Sequence, residues 1–440
     1  MQTMSLRLPT IDELAEIDLA PPTVACFGRY EVLAPLGDGG DARVYVGQTR
    51  GPTETRRLVA IKHVTSELPH PQVWKAAAQE AALGARIRHA NVVGVLEVED
   101  GGIGPYIIMD YVEGGTLVDL LSRCFERSVG RAGLPVGIAV RIALDALFGL
   151  HAAHELRDEK GRSLSLVHRD VSPHNILVGT DGVSRISDFG IARIRHAIRT
   201  APGLVRGKAG YMAPEQILGQ PLDRRTDVFA MGIVLWEALT GNRLFRGKRL
   251  EEVIASVMEQ PILSPSHKAE HVPAAVSAIC LRALERDPRK RWPSARAFAD
   301  ALAGAARSDR GTDVATQGEV ADYLETALSD VLERRRSILR LAEANEPHPD
   351  EDGLDNLTVP RQMLPVADDV ETAERPLWSA VLRVSKRESA FAGESDKSVT
   401  VQTRRQKPAP VLAIVAGFAA LVMLLAVAVA AFHFVPAGFR

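Results

Sequence analysis

Short apolar runs separated by glycine-rich or polar turns fill the first part of the chain, a pattern typical of β-strands. Strands are predicted at residues 30–36, 43–48, 58–62, 92–98 and 106–112, with an alanine-rich helix at residues 74–87. Beyond Gly114 and Gly115 the apolar positions recur with the period of a helix, as in residues 135–154. The pattern therefore predicts an α+β, bilobal fold, and nucleotide sites favour the cleft between two such lobes.

A charged loop interrupts the apolar pattern between residues 167 and 178. It begins with His168, Arg169 and Asp170 and reaches Asn175, and a second short motif follows at Asp188-Phe189-Gly190. Either motif alone is common in surface loops and turns. Together, a carboxylate, an amide and a second carboxylate on neighbouring loops can serve a hydroxyl nucleophile and two Mg2+ ions.

The first two predicted strands flank a glycine-rich stretch, residues 37–44. Glycines allow backbone N–H groups to approach phosphates closely, although many hairpins are also rich in glycine. Lys62 ends the third strand and is able to reach phosphate oxygens, while Glu80 on the following helix is placed to hold it. Such a pair is structural in most proteins, but its position beside the glycine-rich stretch favours a functional interpretation.

Composition narrows the function classes. The 440 residues carry a net charge of −2, which argues against a nucleic-acid partner. The three cysteines are far apart without metal-ligand spacing, so buried reduced thiols are expected. Residues 1–28 form a leader whose acidic residues do not fit a signal peptide.

The C-terminal part predicts a membrane anchor. Residues 411–432 contain no charged residue and span roughly 33 Å as a helix, which is enough for a bilayer core. Arg404, Arg405 and Lys407 flank the span and mark the cytoplasmic side, so residues 433–440 form a short extracytoplasmic tail. Residues 345–410 have the composition of a disordered linker.

Residues 305–344 predict a helical segment between the globular part and the linker. An apolar face runs along it, made by Val320, Leu324, Ala327, Leu328, Val331 and Leu332. This face packs either on the preceding domain or on another helix, and we favour the first interpretation.

Residues 29–304 resemble the eukaryotic-like (Hanks-type) serine/threonine protein kinases. The sequences of the loops are most similar to those of bacterial members, especially myxobacterial ones. The resemblance is carried, in chain order, by the glycine-rich stretch, Val59-Ala60-Ile61-Lys62, Glu80, His168-Arg169-Asp170 with Asn175, Asp188-Phe189-Gly190, Ala213-Pro214-Glu215, Asp227 and Arg291. It implies a kinase domain that uses ATP and Mg2+.

The resemblance also implies a role for each matching residue. Asp170 accepts the hydroxyl proton, Asp188 and Asn175 bind Mg2+, and Asp227 anchors the catalytic loop. Met109 is the gatekeeper, followed by the hinge that meets adenine. The ATP site as a whole is expected to comprise Leu36, Gly37, Asp38, Gly39, Gly40, Val44, Ala60, Lys62, Glu80, Met109, Asp110 and Val112.

The expected function is transfer of the ATP γ-phosphate to serine or threonine hydroxyls of proteins, including this chain. The expected location is a bacterial inner membrane, with a single span, a cytoplasmic kinase domain and a homodimer for trans-autophosphorylation. Arg169 beside the catalytic aspartate suggests control by a phosphorylated residue, and Thr200 is the candidate. The alternative is a pseudokinase, an ATP-binding membrane scaffold. Tyrosine specificity and small-molecule acceptors are disfavoured.

Two departures from the family pattern concern the phosphate. Ser172 replaces the lysine that usually touches the transferred phosphate, and Lys208 replaces the threonine that usually braces it. We hypothesise that Lys208 supplies the missing cation. The alternative is that Lys208 is a substrate-facing surface charge.

The substitution Lys208→Ala is therefore expected to reduce turnover by about 100-fold while sparing ATP binding, because it removes a charge that acts on the transferred phosphate. Steady-state phosphate transfer and equilibrium ATP binding measure the two effects separately. A fully active Lys208→Ala protein would refute the hypothesis.

Overall fold

The computed structural model describes residues 26–39, 42–49, 56–64, 70–100, 104–127, 133–189, 209–308 and 313–344. The N-terminal lobe is an antiparallel sheet of six strands in the order β1-β2-β3-β4-β6-β5. Its elements are β1 (Cys26–Phe27), β2 (Tyr30–Gly39), β3 (Ala42–Thr49), β4 (Leu58–Val64), α1 (His70–Gly84), β5 (Val95–Asp100) and β6 (Pro105–Asp110).

Strand register decides which N-lobe side chains share the cleft face. Ala60 of β4 pairs with Met109 of β6, and Lys62 pairs with Val44 of β3. Because side chains alternate along a strand, Ala60 and Lys62 lie on the same face of the sheet. That face packs against α1 through a small apolar cluster that includes Ala77.

The structure shifts several predicted boundaries in this lobe. The predicted helix at residues 74–87 is α1, which begins earlier and ends at Gly84. The stretch predicted as a phosphate loop continues β2 to Gly39, which pairs with Ala42. Strand β6 ends at Asp110 rather than at residue 112. At this end the Asp110 N–H donates to the carbonyl of Gly94 (2.9 Å), which lies just before β5.

The C-terminal lobe is helical, apart from a three-stranded sheet in the order β7-β8-β9. Its strands are β7 (Gly114–Thr116), β8 (Ile176–Gly179) and β9 (Ser184–Ile186). Its helices, together with two that follow the lobe, are α2 (Leu117–Arg127), α3 (Val136–His154), α4 (Pro214–Ile217), α5 (Arg224–Thr240), α6 (Leu250–Glu259), α7 (Pro265–Lys268), α8 (Ala274–Ala283), α9 (Ala295–Ser308), α10 (Gln317–Ala327) and α11 (Ser329–Ala344).

Helix α5 forms the centre of the C-lobe. Asp223 caps its start by accepting the Arg225 N–H (2.8 Å), and Gly241 ends it with a φ of 65°. Every residue from 226 to 240 is buried, since the helix packs against α3, α8 and α9. A helix enclosed on all sides provides a rigid platform for the loops above it.

A buried ion pair fixes the segment before α5. Arg291 donates from Nη1 and Nη2 to the two carboxylate oxygens of Glu215, at 2.6 and 2.8 Å. The hydrogen bonds offset burial and hold the pKa of Glu215 below its usual value.

Helices α10 and α11 pack on the kinase-like core, which confirms the favoured interpretation of residues 305–344. Val320, Leu324, Leu328 and Leu332 are almost fully buried in the C-lobe cluster. Cys124 and Cys280 are buried thiols, as expected.

The predicted span at residues 411–432 lies outside the described residues. Among the described residues, α3 alone is long and apolar enough to cross a bilayer, but 67% of its apolar window is buried inside the molecule. It is therefore a core helix. The predicted linker and most of the leader also lie outside the described part of the chain.

Candidate active site

The loop that carries Asp170 is held from below by Asp227 of α5. The Asp227 Oδ2 atom accepts the backbone N–H of His168 (2.8 Å), and Oδ1 accepts that of Arg169 (2.8 Å). His154 of α3 donates from Nε2 to Oδ2 (2.7 Å). Both the Asp227 and His154 side chains are only 1% exposed, so the anchor is closed to water.

The electrostatics of Asp227 favour its charged form. Burial alone would raise the pKa of this carboxyl, but hydrogen bonds from His154 and the Arg169 backbone outweigh burial, and the pKa lies below the ordinary value. Because the folded-state pKa is lowered, the resulting stability is present above the pKa of an unfolded aspartate, about 3.9, and is lost as the pH falls through the folded-state pKa. The anchor is therefore intact at neutral pH.

Asn175 braces the candidate base Asp170. The Asn175 Nδ2 atom donates to the Asp170 carbonyl (2.7 Å) and more weakly to its Oδ2 (3.2 Å). A short 3-10 turn, Pro173–Asn175, brings the two residues together. Since Nδ2 makes both contacts, the Asn175 oxygen Oδ1 remains available as a ligand.

The second carboxylate, Asp188, is tied to the same loop. Ser187 donates its N–H to the Asn175 carbonyl (2.9 Å), and His168 Nε2 donates to the Ser187 carbonyl (2.8 Å). The His168 and Phe189 rings are 4.6 Å apart. Asp188 has a φ of 67°, a left-handed conformation that such contacts have to hold in place.

Lys62 reaches across the cleft to Asp188. Its Nζ lies 2.6 Å from Asp188 Oδ1, and the lysine side chain is 5% exposed. The sequence predicted Glu80 as the partner of Lys62. Glu80 lies on α1, but its side chain is outside the described part of the structure, so that pairing stays a prediction.

The cleft between the lobes has a volume of about 220 Å³. Asp110 and Lys62 line it, and the other predicted ATP-site residues that line it are all apolar: Leu36, Val44, Ala60, Met109 and Val112. An apolar cleft with a few polar groups is the usual form of a nucleotide site.

Several predicted site residues lie outside what the structure describes. Gly40, Lys208 and Thr200 are among them, and for Gly37, Asp38 and Gly39 only the course of β2 is described. Ser172, which stands where the family pattern has a lysine, is fully buried and does not line the cleft.

The residues present fit a magnesium ion. The Asp188 carboxylate and the Asn175 Oδ1 are oxygen ligands, the kind that Mg2+ prefers, on two loops joined by a backbone hydrogen bond. When bound, the ion would neutralise charge on the phosphates. Among the described residues there is no cluster of three or more His, Cys, Asp or Glu side chains that could hold a metal ion.

Sequence reasoning missed part of the cleft. Thr116, Asp119, His174 and Arg335 also line it. Thr116 and Asp119 lie just beyond the predicted hinge, so their position in the sequence could have indicated that they line the cleft. Arg335 lies on α11 far along the chain, and no motif marks it.

A sheet-rich lobe and a helical lobe with these loops in the cleft define the bilobal protein kinase fold. Residues 30–302 match the protein kinase domain family, and the chain belongs to that family.

Curated relatives agree with this assignment. The chain is 35% identical to the tyrosine-protein kinase MasK of Myxococcus xanthus over 283 residues, 64% of this chain and 43% of the relative. It is 35% identical to the serine/threonine-protein kinase PksC of Streptomyces coelicolor over 282 residues, 62% of this chain and 48% of the relative. For PknB of Mycobacterium leprae, a serine/threonine-protein kinase, the identity is 31% over 274 residues, 61% of this chain and 41% of the relative. The match thus spans less than half the length of each relative.

The substitution Asp227→Asn is expected to lower the free energy of unfolding by about 2–4 kcal/mol, since an amide offers one oxygen to three buried donors. Displacement of the catalytic loop should also reduce phosphate transfer by about 100-fold. Urea denaturation and initial rates measure the two effects. Asp300→Asn, the same change at an exposed residue of α9, serves as the control and should alter neither. Wild-type stability in Asp227→Asn would contradict the anchoring role.

Proposed function

We propose that the chain transfers the γ-phosphate of ATP to serine and threonine hydroxyls of proteins, its own included, as a membrane-tethered bacterial signalling kinase. The observation that carries this proposal is a connected set of contacts: Lys62 bonds to Asp188, Asn175 bonds to Asp170, and the Ser187 N–H joins the two loops by donating to the Asn175 carbonyl. A pseudokinase scaffold would have no need for this set.

The geometry supports a specific sequence of events. The acceptor hydroxyl loses its proton to the Asp170 carboxylate as its oxygen bonds to the γ-phosphorus. The bond between that phosphorus and the bridging oxygen breaks, and ADP leaves with the electron pair. Lys62 holds the phosphates, and Asn175 keeps Asp170 oriented through the 2.7 Å bond to its carbonyl.

Control by phosphorylation fits the surroundings of Arg169. Its φ of 68° is fixed by the backbone bond to Asp227, and its carbonyl accepts the side-chain amide of Gln216 (3.0 Å). Within the described residues its buried Nε has no hydrogen-bond partner. A phosphate on Thr200 would supply acceptors for this guanidinium.

The acceptor residue has a second candidate. PksC and PknB are named serine/threonine kinases, whereas MasK, which is equally similar to this chain as PksC, is named a tyrosine kinase. We favour serine and threonine because the catalytic loop lacks the pattern of the tyrosine branch. Tyrosine is the alternative that the MasK likeness supports.

The purified full-length chain, given labelled ATP and Mg2+, is expected to phosphorylate itself and generic protein substrates. In Asp170→Asn, which keeps the size of the side chain but removes the base, transfer should fall by about 100-fold or more. Label quantified after electrophoresis measures the rate, and phosphoamino-acid analysis identifies the acceptor.

Each outcome is decisive. Label on serine or threonine that is lost in Asp170→Asn supports the proposal. Label on tyrosine alone selects the alternative acceptor. Nucleotide binding without any transfer favours the scaffold, and undiminished transfer by Asp170→Asn contradicts the role of that residue.

The membrane tether rests on residues 411–432 and their basic flank. The full-length chain is expected to sediment with bacterial membranes and to resist extraction by high salt and alkaline carbonate. A chain ending at residue 410 should be recovered in the supernatant. Recovery of the full-length chain in the supernatant would contradict the tether.

A further inference from the structure

Arg335 of α11 enters the nucleotide cleft from outside the region that matches the kinase family. That match ends at residue 302, yet the Arg335 side chain lines the same cleft as Lys62 and Met109. Its Nη1 donates to the Gly114 carbonyl (2.6 Å), at the point where the hinge enters β7. The guanidinium also lies beside the Tyr111 hydroxyl and opposes the rise in the pKa of Tyr111 that burial causes.

The C-lobe holds one end of this helix pair in place. Thr316 and Glu319 form a capping box at the start of α10, and Leu324 is fully buried against the C-lobe. Between the two helices, Leu328 packs so closely on β7 that a Cβ atom on Gly115 would lie 2.4 Å from its Cδ1. The glycine is therefore what allows the helix pair to approach the hinge.

The N-lobe and the hinge hold the other end. Leu339 packs with Leu33, Ala34 and Val46 in an apolar cluster of the N-lobe. Arg336 forms ion pairs with Glu113 of the hinge region and with Glu325 of α10. Arg335, one residue away, is thus presented to the cleft by a helix that is fixed on both lobes.

The location of Arg335 points to the sugar of the nucleotide. Lys62 and Asp188 mark the phosphate end of the cleft, and the apolar side chains around Met109 mark the part that suits a base. Arg335 is bonded to Gly114, beyond the hinge, where the carboxylate of Asp119 also lines the cleft. A carboxylate disfavours phosphates there but suits hydroxyl groups.

We propose that Arg335 is a nucleotide-binding residue that donates hydrogen bonds to the ribose hydroxyls of ATP. A guanidinium has five N–H donors, and the Gly114 carbonyl accepts from only one of its nitrogens. This inference rests on the proposed function, since it requires ATP as the ligand.

The test compares Arg335→Ala with Arg334→Ala, an exposed arginine on the same helix, in the full-length protein. Equilibrium dissociation constants are measured for ATP, adenosine and adenine. In Arg335→Ala we expect ATP and adenosine to bind about tenfold more weakly, by equal factors, because a hydrogen bond from a charged donor is lost. Adenine, which has no sugar, should bind unchanged, and Arg334→Ala should match the wild type for all three.

Other outcomes overturn the proposal. Weaker binding of adenine as well would mean that Arg335 only supports the hinge. Weaker binding of ATP alone would mean a phosphate contact, and unchanged binding of all three would remove any ligand role. If the wild-type protein binds no ATP, the proposed function fails together with this inference, whereas wild-type binding that Arg335→Ala leaves intact refutes the inference alone.

Discussion

The loop that carries Asp170 depends on one buried carboxylate. Asp227 accepts three hydrogen bonds, two of them from the backbone of His168 and Arg169. The Asp227 side chain is only 1% exposed, so water molecules cannot replace these donors. Releasing the loop would therefore leave a buried carboxylate without enough hydrogen-bond partners. This cost is what holds Arg169 at a φ of 68°, a conformation that an isolated loop would leave. The position of Asp170 follows from it.

Buried carboxylates on or near helix α5 also hold other neighbouring segments in place. At its other end, Glu237 accepts the Tyr211 hydroxyl (2.6 Å) and the Leu244 N–H (3.0 Å), and burial raises the pKa of this carboxyl. Before its start, Arg291 satisfies both oxygens of Glu215. Acidic anchors at or near both ends of one enclosed helix thus fix segments that have little regular structure of their own.

The contacts that the sequence predicts best are those between residues that lie close together along the chain. Asp170 and Asn175 lie on one turn, so their contact follows almost from the chain itself, whereas Glu215 and Arg291 are 76 positions apart and meet only in the folded domain. The contact between Lys62 and Asp188 joins residues that are 126 positions apart, so spacing along the chain could not predict it, and the pairing with Glu80 stays a prediction. Arg335 gave no signal, since its neighbours on α11 are polar and an arginine there resembles any solvated residue.

The cleft is lined by more than the two lobes, since Arg335 of α11 also lines it. Leu339 is seated in the N-lobe, while Leu332 is buried in the C-lobe, and both belong to α11. If the two lobes move apart, α11 must either bend or stay with one lobe. In the second case its leucine contact with the other lobe becomes exposed. Exposing a buried leucine costs about 1.5–3 kcal/mol, an amount comparable with the hydrogen bonds that hold the hinge. The opening of the cleft is consequently coupled to a helix that lies beyond the family match.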